Sequence, residues 1–253
     1  MYRFLLLASL VSLPAQAAET ITVSSGDRQT AVVELYTSEG CNSCPPADKW
    51  LNKLVETPRQ DLDVLALAFH VDYWNYLGWE DRFSDAAYTK RQRILGANNQ
   101  QRTIYTPEFF VNGIESRGTN RILSNIQAVN QQTPKLDLEL SVSRDADQLV
   151  VTLATPSRRD TIGQIHHRYL VYENNLSTDV KRGENSGRTL HHQQVVRYMS
   201  EPQGLQRDNQ HRIRIDPDWN GENIGVAVMV TSPGDLHFLQ AVHTSVAPLM
   251  TAQ

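Results

Sequence analysis

Sulfur is scarce in this sequence. Its 253 residues hold two cysteines, Cys41 and Cys44, both inside the stretch ELYTSEGCNSCPPADKW. A closed tetrahedral zinc site built on them would need two further ligands from elsewhere in the chain. Long apolar runs are scarce too. Beyond the N-terminal segment nothing is long and apolar enough to cross the roughly 30 Å of a bilayer core, so no membrane span is expected. Positive charge has no excess. Lys and Arg number 24 against 28 Asp and Glu, a formal net charge of −4. That balance argues against nucleic acid or an anionic membrane surface as a partner. Repeats and low-complexity tracts are absent, and a hydrophobic content of 40% suits a globular core.

The first residues read as a processing signal. Met1-Tyr2-Arg3 is a short basic start, Phe4 to Leu13 is apolar, and Pro14 precedes the small-x-small triplet Ala15-Gln16-Ala17. This is the layout of a secretory signal peptide over residues 1–17, cleaved near Ala17. The expected location is therefore periplasmic or secreted. Removing Arg3 with the peptide takes the formal charge from −4 to −5.

Residues 30–37, TAVVELYT, read as a strand buried on both faces. After the cysteine loop, Ala47, Trp50, Leu51, Leu54 and Val55 fall at helical spacing, with Pro58 as the stop. LDVLALAFHV (62–71) is a second buried strand. A strand, a helix and a strand with no hairpin signal between them predict a crossover and parallel pairing. Ser84 is placed to cap a helix that runs towards Gly96. RTIYTPEFFVNGIESRG predicts two short strands turning at Asn112-Gly113. A third helix is expected over 122–131, ending before Pro134. After Pro134 the texture changes to alternation, with Leu136, Leu138, Leu140 and Val142 on one face. About seven strand-like runs follow, the pattern of an antiparallel sandwich. The expected division is 1–17 signal peptide, 18–133 α/β domain and 134–253 β-rich domain.

Three chemistries suit the cysteine pair. It could be a structural disulfide, although so short a loop contributes on the order of 2 kcal/mol at best in the chain-entropy model. It could bind metal, copper(I) with a histidine included, but nothing repeats at ligand spacing near it, and no metal site is assigned. The histidine doublets His166-His167 and His191-His192 sit in alternating strands, where one ring points out and one in, which disfavours joint chelation. Or it could be a dithiol/disulfide redox centre, with Cys41 as the attacking thiol and Cys44 as the resolving thiol. The loop between a parallel strand and the following helix is where that last chemistry is expected.

The strand, Cys-x-x-Cys and helix order, with Thr106-Pro107 opening a later strand, resembles the thioredoxin fold. More narrowly, YTSEGCNSCPPAD, HVDYWNYLGW, YTPEFFVNG and RGENSGRTLHHQQVVR resemble an exported bacterial thioredoxin-like family of unknown function, domain of unknown function 1223. The resemblance covers nearly the whole mature chain. It implies an α/β thioredoxin-like domain followed by a mainly antiparallel, sandwich-like β domain, and it supplies no reaction. It also implies a cis Pro107 facing the cysteines, with Thr106 and Pro107 binding extended substrate. Two departures stand out. Pro45 and Pro46 follow Cys44, which biases Cys44 and Pro45 to extended backbone and predicts a helix starting at Pro46. Glu39-Gly40 stands where an aromatic residue is usual before the first cysteine.

Other residues could support a redox pair. Glu34 interrupts an apolar strand and, if buried, could accept the resolving thiol's proton. In a parallel sheet the loops after successive strands gather at one edge. His70 and Asp72 could therefore tune the thiol, and Trp74 and Trp79, with Tyr73 and Tyr76, could wall a groove. Asn185 is expected to stabilise a turn in RGENSGRT. The resulting expectation is a candidate periplasmic thiol–disulfide oxidoreductase acting on protein or small-molecule thiols and disulfides without a cofactor. The alternative is a non-catalytic binding module with a structural disulfide, or a copper-binding protein.

Overall fold

The computed structural model describes residues 19–156, 164–206, 208–235 and 237–251. The expected signal peptide lies outside the described residues. The first half runs β1 (Thr20–Ser24), β2 (Ala31–Thr37), α1 (Pro45–Glu56), β3 (Val64–His70), α2 (Ala86–Asn98), β4 (Glu108–Val111), β5 (Ile114–Glu115) and α3 (Thr119–Asn130). The second half holds β6 (Glu139–Asp145), β7 (Gln148–Ala154), β8 (His166–Glu173), β9 (Leu176–Asp179), β10 (Thr189–His192) and β11 (Val195–Met199). It closes with β12 (Gln203–Gly204), β13 (Asp208–Arg214), β14 (Ile224–Thr231), β15 (Phe238–Ser245) and α4 (Ala247–Thr251).

β2 and β3 pair in parallel, from Ala31 opposite Val64 to Thr37 opposite His70, as a crossover through α1 requires. β4 joins the other side of β2 antiparallel, and β4 turns into β5 at Asn112 and Gly113. Both turn residues have positive φ, 45° and 79°, the combination for which Asn-Gly is suited. The helix after the cysteines begins at Pro45, not Pro46, and Cys44 is already in the right-handed helical region. The Cys44 carbonyl accepts from Ala47 N (2.9 Å) and Asp48 N (3.1 Å), so Cys44 serves as the N-cap. The two prolines then occupy first-turn positions, where no backbone N–H is needed. At α2 the cap is Asp85, whose side chain accepts from Ala87 N, instead of Ser84.

The expected boundary at 133/134 does not separate two sheets. One nine-stranded sheet runs β15-β14-β8-β11-β3-β2-β4-β5, with β12 paired to β8. It takes strands from both halves. β11 lies parallel to β3 at Val195 and Ala68, and so covers the edge that β3 would otherwise expose. β1, from the N-terminal side, leaves the first half and pairs with β6 in a four-stranded sheet, β1-β6-β7-β13. The sandwich expected after Pro134 is this small sheet packed on the β8/β14/β15 end of the large one. Leu140, Val142, Val151 and Leu153 meet Val171, Val226, Val228 and Val230 there. On the same face of the large sheet, α1 and α3 cover Val33, Leu35, Ala66 and Ala68. On the opposite face α2 packs over Leu67, Phe69, Phe110 and Met229. Each large aliphatic or aromatic side chain so buried contributes roughly 1.5–3 kcal/mol.

Candidate functional site

The loop after β2 carries the cysteines. Cys41 and Cys44 form a disulfide, S–S 2.11 Å and Cα–Cα 5.5 Å. Cys41 N donates to Ser38 O (3.1 Å) and Cys44 N to Cys41 O (3.3 Å), which winds the loop into the start of α1. Tyr36 is opposite Glu108 in the β2/β4 register, so Pro107 lies one step further, at the edge from which this loop leaves. The Thr106-Pro107 peptide bond is cis. Trp74 ties the two segments together. Its Nε1 donates to Thr106 Oγ1 (2.7 Å), and its backbone sits against Gly40. A Cβ at Gly40 would lie 3.1 Å from Trp74 Cβ and 3.4 Å from Trp74 O. The absence of a side chain there is what allows this close approach, and it accounts for glycine before Cys41.

The disulfide is not at an open rim. Cys41 is 1% exposed and Cys44 0%. The expectation of an accessible Cys41 sulfur is corrected by an arm from the second half of the chain. β9 and β10 pair antiparallel, Asp179 opposite Thr189, and the 180–188 loop between them reaches over the cysteine loop. At its tip Asn185 Nδ2 donates to two carbonyls, Glu39 O and Cys41 O, each at 2.9 Å. Asn42 N donates to Glu184 Oε2 (3.3 Å). Gly183, at φ +74°, packs so closely that a Cβ would stand 3.0 Å from Trp79 Cβ. Arg188 Nη1 holds the Asn185 side chain from behind (3.0 Å to Oδ1).

Under the cysteine loop lies a cluster of buried titratable side chains: Glu39, Asp48, His70, Asp81 and His192. Asp81 is its hub. Its Oδ2 meets His70 Nδ1 at 2.7 Å and accepts from Glu39 N at 2.9 Å, and its Oδ1 accepts from Phe83 N. Glu39 Oε2 accepts from Trp79 Nε1 (2.8 Å), and Glu39 Oε1 lies 3.3 Å from His192 Nε2 on β10. The His70 and His192 rings meet edge to face at 4.9 Å. Asp48, on the first turns of α1, accepts from Thr37 Oγ1 (2.8 Å). Burial raises the Asp48 pKa, and the two histidines and Thr37 only partly offset this. For His70 burial opposes protonation, but the Asp81 carboxylate overcomes it and the pKa is raised. Asp81 is the mirror case: burial pushes up, His70 and the backbone donors pull down further, and the pKa is lowered. Both shifts favour the charged forms, a protonated His70 beside the Asp81 carboxylate. Among the described residues no group of three or more His, Cys, Asp or Glu is arranged to hold a metal ion.

A family model described as a protein of unknown function, DUF1223, matches residues 32–231. The chain belongs to the DUF1223 family. Among curated proteins nothing matches it. Two solved structures are similar. The crystal structure of protein AGR_C_4864 from Agrobacterium tumefaciens aligns with a TM-score of 0.63 at 23% identity, covering 88% of this chain and 96% of that one. HBP35 of Porphyromonas gingivalis aligns with a TM-score of 0.67 at 17% identity, covering 88% of this chain and 76% of that one. At these identities the likeness is one of fold.

This DUF1223 chain brings together some of the residues singled out in its sequence and separates others. Cys41, Cys44, Trp74, Trp79, Thr106 and His70 converge on one end of the β2/β3 pair, and Pro107 lies at the same edge. Asp72 does not face His70. Its Oδ1 accepts from Thr89 Oγ1 on α2 (2.6 Å). Glu34 shares a strand face with Val32 and Tyr36, away from α1, and is gripped by Arg91 through Nε (2.7 Å) and Nη2 (2.8 Å). Tyr36 Oη donates to it as well (2.8 Å). A carboxylate so engaged is a counter-ion, not a free proton acceptor for Cys44. Tyr76 is 80% exposed, so it walls nothing, while burial pushes the half-buried Tyr73 up to about 12. Glu39, Asp48, Asp81, His192 and Asn185 escaped the sequence reading as site residues. For Asp48 a signal existed, since a carboxylate four residues after Cys44 falls on the helix turn that faces the loop. His191 is exposed and His192 buried, the alternation that a strand imposes.

Proposed function

We propose that this DUF1223 protein is an exported, thioredoxin-like thiol–disulfide exchange protein whose working couple is Cys41–Cys44. The observation that carries the reading is the disulfide's position. It closes the turn between a parallel strand and the helix that follows, at the same sheet edge as Thr106-Pro107. In exchange, a partner thiolate bonds to Cys41 Sγ while the Cys41–Cys44 bond breaks and Cys44 leaves as a thiolate. A second partner thiol then attacks the mixed disulfide. The partner is oxidised to a disulfide, and Cys41 and Cys44 end as thiols. Run backwards, Cys41 attacks and Cys44 resolves. Trp74 and Thr106 would flank the incoming chain, and His70 with Asp81 would set the local charge beneath it.

Export rests on residues 1–17 acting as a signal peptide. N-terminal sequencing of the protein from a periplasmic fraction should begin near Ala18, and a start at Met1 in the cytoplasmic fraction would overturn it. Exchange is tested by reduction of a model protein disulfide, which Cys41→Ser should abolish. The burial of both sulfurs favours a rival, a passive staple. Glutathione titration separates the two: a potential below about −300 mV marks a structural disulfide, and a value near about −200 mV an exchange couple.

A further inference from the structure

We infer that Asn185 is a specificity-determining residue: it latches the β9–β10 arm over the disulfide, excludes small thiols, and restricts exchange to extended polypeptides that replace its hydrogen bonds. This rests on the exchange reading above. The arm has a fixed base and a polar tip. At the base Val180 and Leu190 are buried, and β9 and β10 are paired. At the tip Lys181, Arg182, Glu184, Ser186, Gly187 and Arg188 are exposed, and no apolar side chain anchors it. What holds the tip down is the pair of Asn185 bonds, the Asn42–Glu184 contact and the seat of Gly183 on Trp79. Such polar contacts exchange for water at small net cost, so the tip is the local opening route. The other side is closed by the α1 core around Leu51 and Leu35, which opens only with global unfolding.

The chemistry of the latch names its occupant. When the arm lifts, the Glu39 carbonyl loses its Asn185 donor and the Cys41 carbonyl keeps only the longer bond from Cys44 N (3.3 Å). A small thiol offers nothing to replace both. An extended polypeptide offers backbone N–H groups at strand spacing, the donors that main-chain recognition uses. Polypeptide cysteines are thus the class that can open the site and be read by it.

The test follows reduction of the full-length oxidised protein by dithiothreitol, quenched by alkylation and read by mass spectrometry. The reagent supplies both electrons: its first thiolate bonds to Cys41 Sγ as Cys44 leaves, and its second closes the ring disulfide. Cys41 and Cys44 take up the two protons. Asn185→Ala should be reduced about thirtyfold faster than wild type, the effect of losing two hydrogen bonds worth roughly 1 kcal/mol each. Gly183→Ala, which strains the positive φ and crowds Trp79, should also be faster, and it keeps the test alive if the first variant folds poorly. Leu153→Ala, a core truncation far from the arm, should leave the rate unchanged under native conditions. The preference for a cysteine-containing peptide dithiol over dithiothreitol should fall in Asn185→Ala. Wild-type rates in both arm variants would overturn the latch, and so would equal acceleration by Leu153→Ala. Faster reduction with no transfer to any protein disulfide would leave the latch standing and sink the exchange reading instead.

Discussion

Replacing Arg91 by methionine is the sharpest test of how the two halves of this chain are joined. Arg91 is 2% exposed, and its three guanidinium nitrogens each donate to one of two carboxylates from opposite ends of the sequence. Nε and Nη2 go to Glu34, and Nη1 goes to Asp235 Oδ2 at 2.9 Å. Arg168 adds a weaker contact to Asp235 at 3.5 Å, so two guanidinium groups balance two carboxylates. Burial opposes the Arg91 charge, but Glu34 and Asp235 more than restore it, and its pKa is raised. Methionine fills much of the volume and removes the charge. Glu34 keeps only Tyr36 Oη, and Asp235 keeps Thr231 Oγ1 and the distant Arg168. Breaking a buried pair from one side costs about 3–5 kcal/mol. In urea that should appear as a lower midpoint with an unchanged slope. The double variant Arg91→Met/Glu34→Leu should regain much of the loss, because two apolar groups replace a pair that was expensive to desolvate. A loss below about 1 kcal/mol for Arg91→Met would refute the account, since it would mean that Glu34 is comfortable without its partner.

Other consequences can be checked together. His70 has a raised pKa, so its contribution is complete below about pH 6.5 and fades as pH rises through the folded value; Asp48, also raised, acts in the same direction at lower pH. Asp81, lowered, contributes above about pH 3.9 and is lost as pH falls through its folded value. Thermal melts should therefore decline from pH 6.5 to 9 in wild type and less steeply in His70→Asn, which keeps a donor towards Asp81; parallel curves would count against the ion pair. Trp79→Phe strands Glu39 Oε2 and should cost about 1–3 kcal/mol, measured by urea unfolding. Gly225→Ala would put a Cβ 2.2 Å from the Tyr172 ring, so it should cost at least about 1–3 kcal/mol, and a normal melt would show that the ring yields freely.

The parts of this fold that declare themselves in sequence are those whose partners are near. β2 and β3 stand out as apolar, β-branched runs, and Asn112-Gly113 marks its hairpin unaided. What hides is set by distant contacts. β1 is a short, half-polar segment whose partner β6 is more than a hundred residues away, with Thr22 Oγ1 and Ser141 Oγ 2.9 Å apart. α2 buries Thr89, Arg91 and Gln92 beside Tyr88 and Leu95, so its inner face does not look apolar. The closed state of Cys41 depends on Asn185, and a turn-forming asparagine looks the same in sequence whether it braces its own loop or another. Glu34 likewise reads as an odd charge in a strand until Arg91 and Asp235 are seen around it.

The placement of β1 bears on how the chain must fold. Among the described residues the strand nearest the N-terminus completes a sheet whose other members begin at Glu139 and end at Arg214. As the polypeptide emerges from synthesis, β1 must wait, unpaired, until its partner β6 at Glu139–Asp145 is made, more than a hundred residues later. High contact order of this kind slows folding and leaves strand edges open in the meantime. A fragment ending at residue 133 would strand β1 and uncover β3 at once, and a chaperone acting on it would meet those two bare edges first.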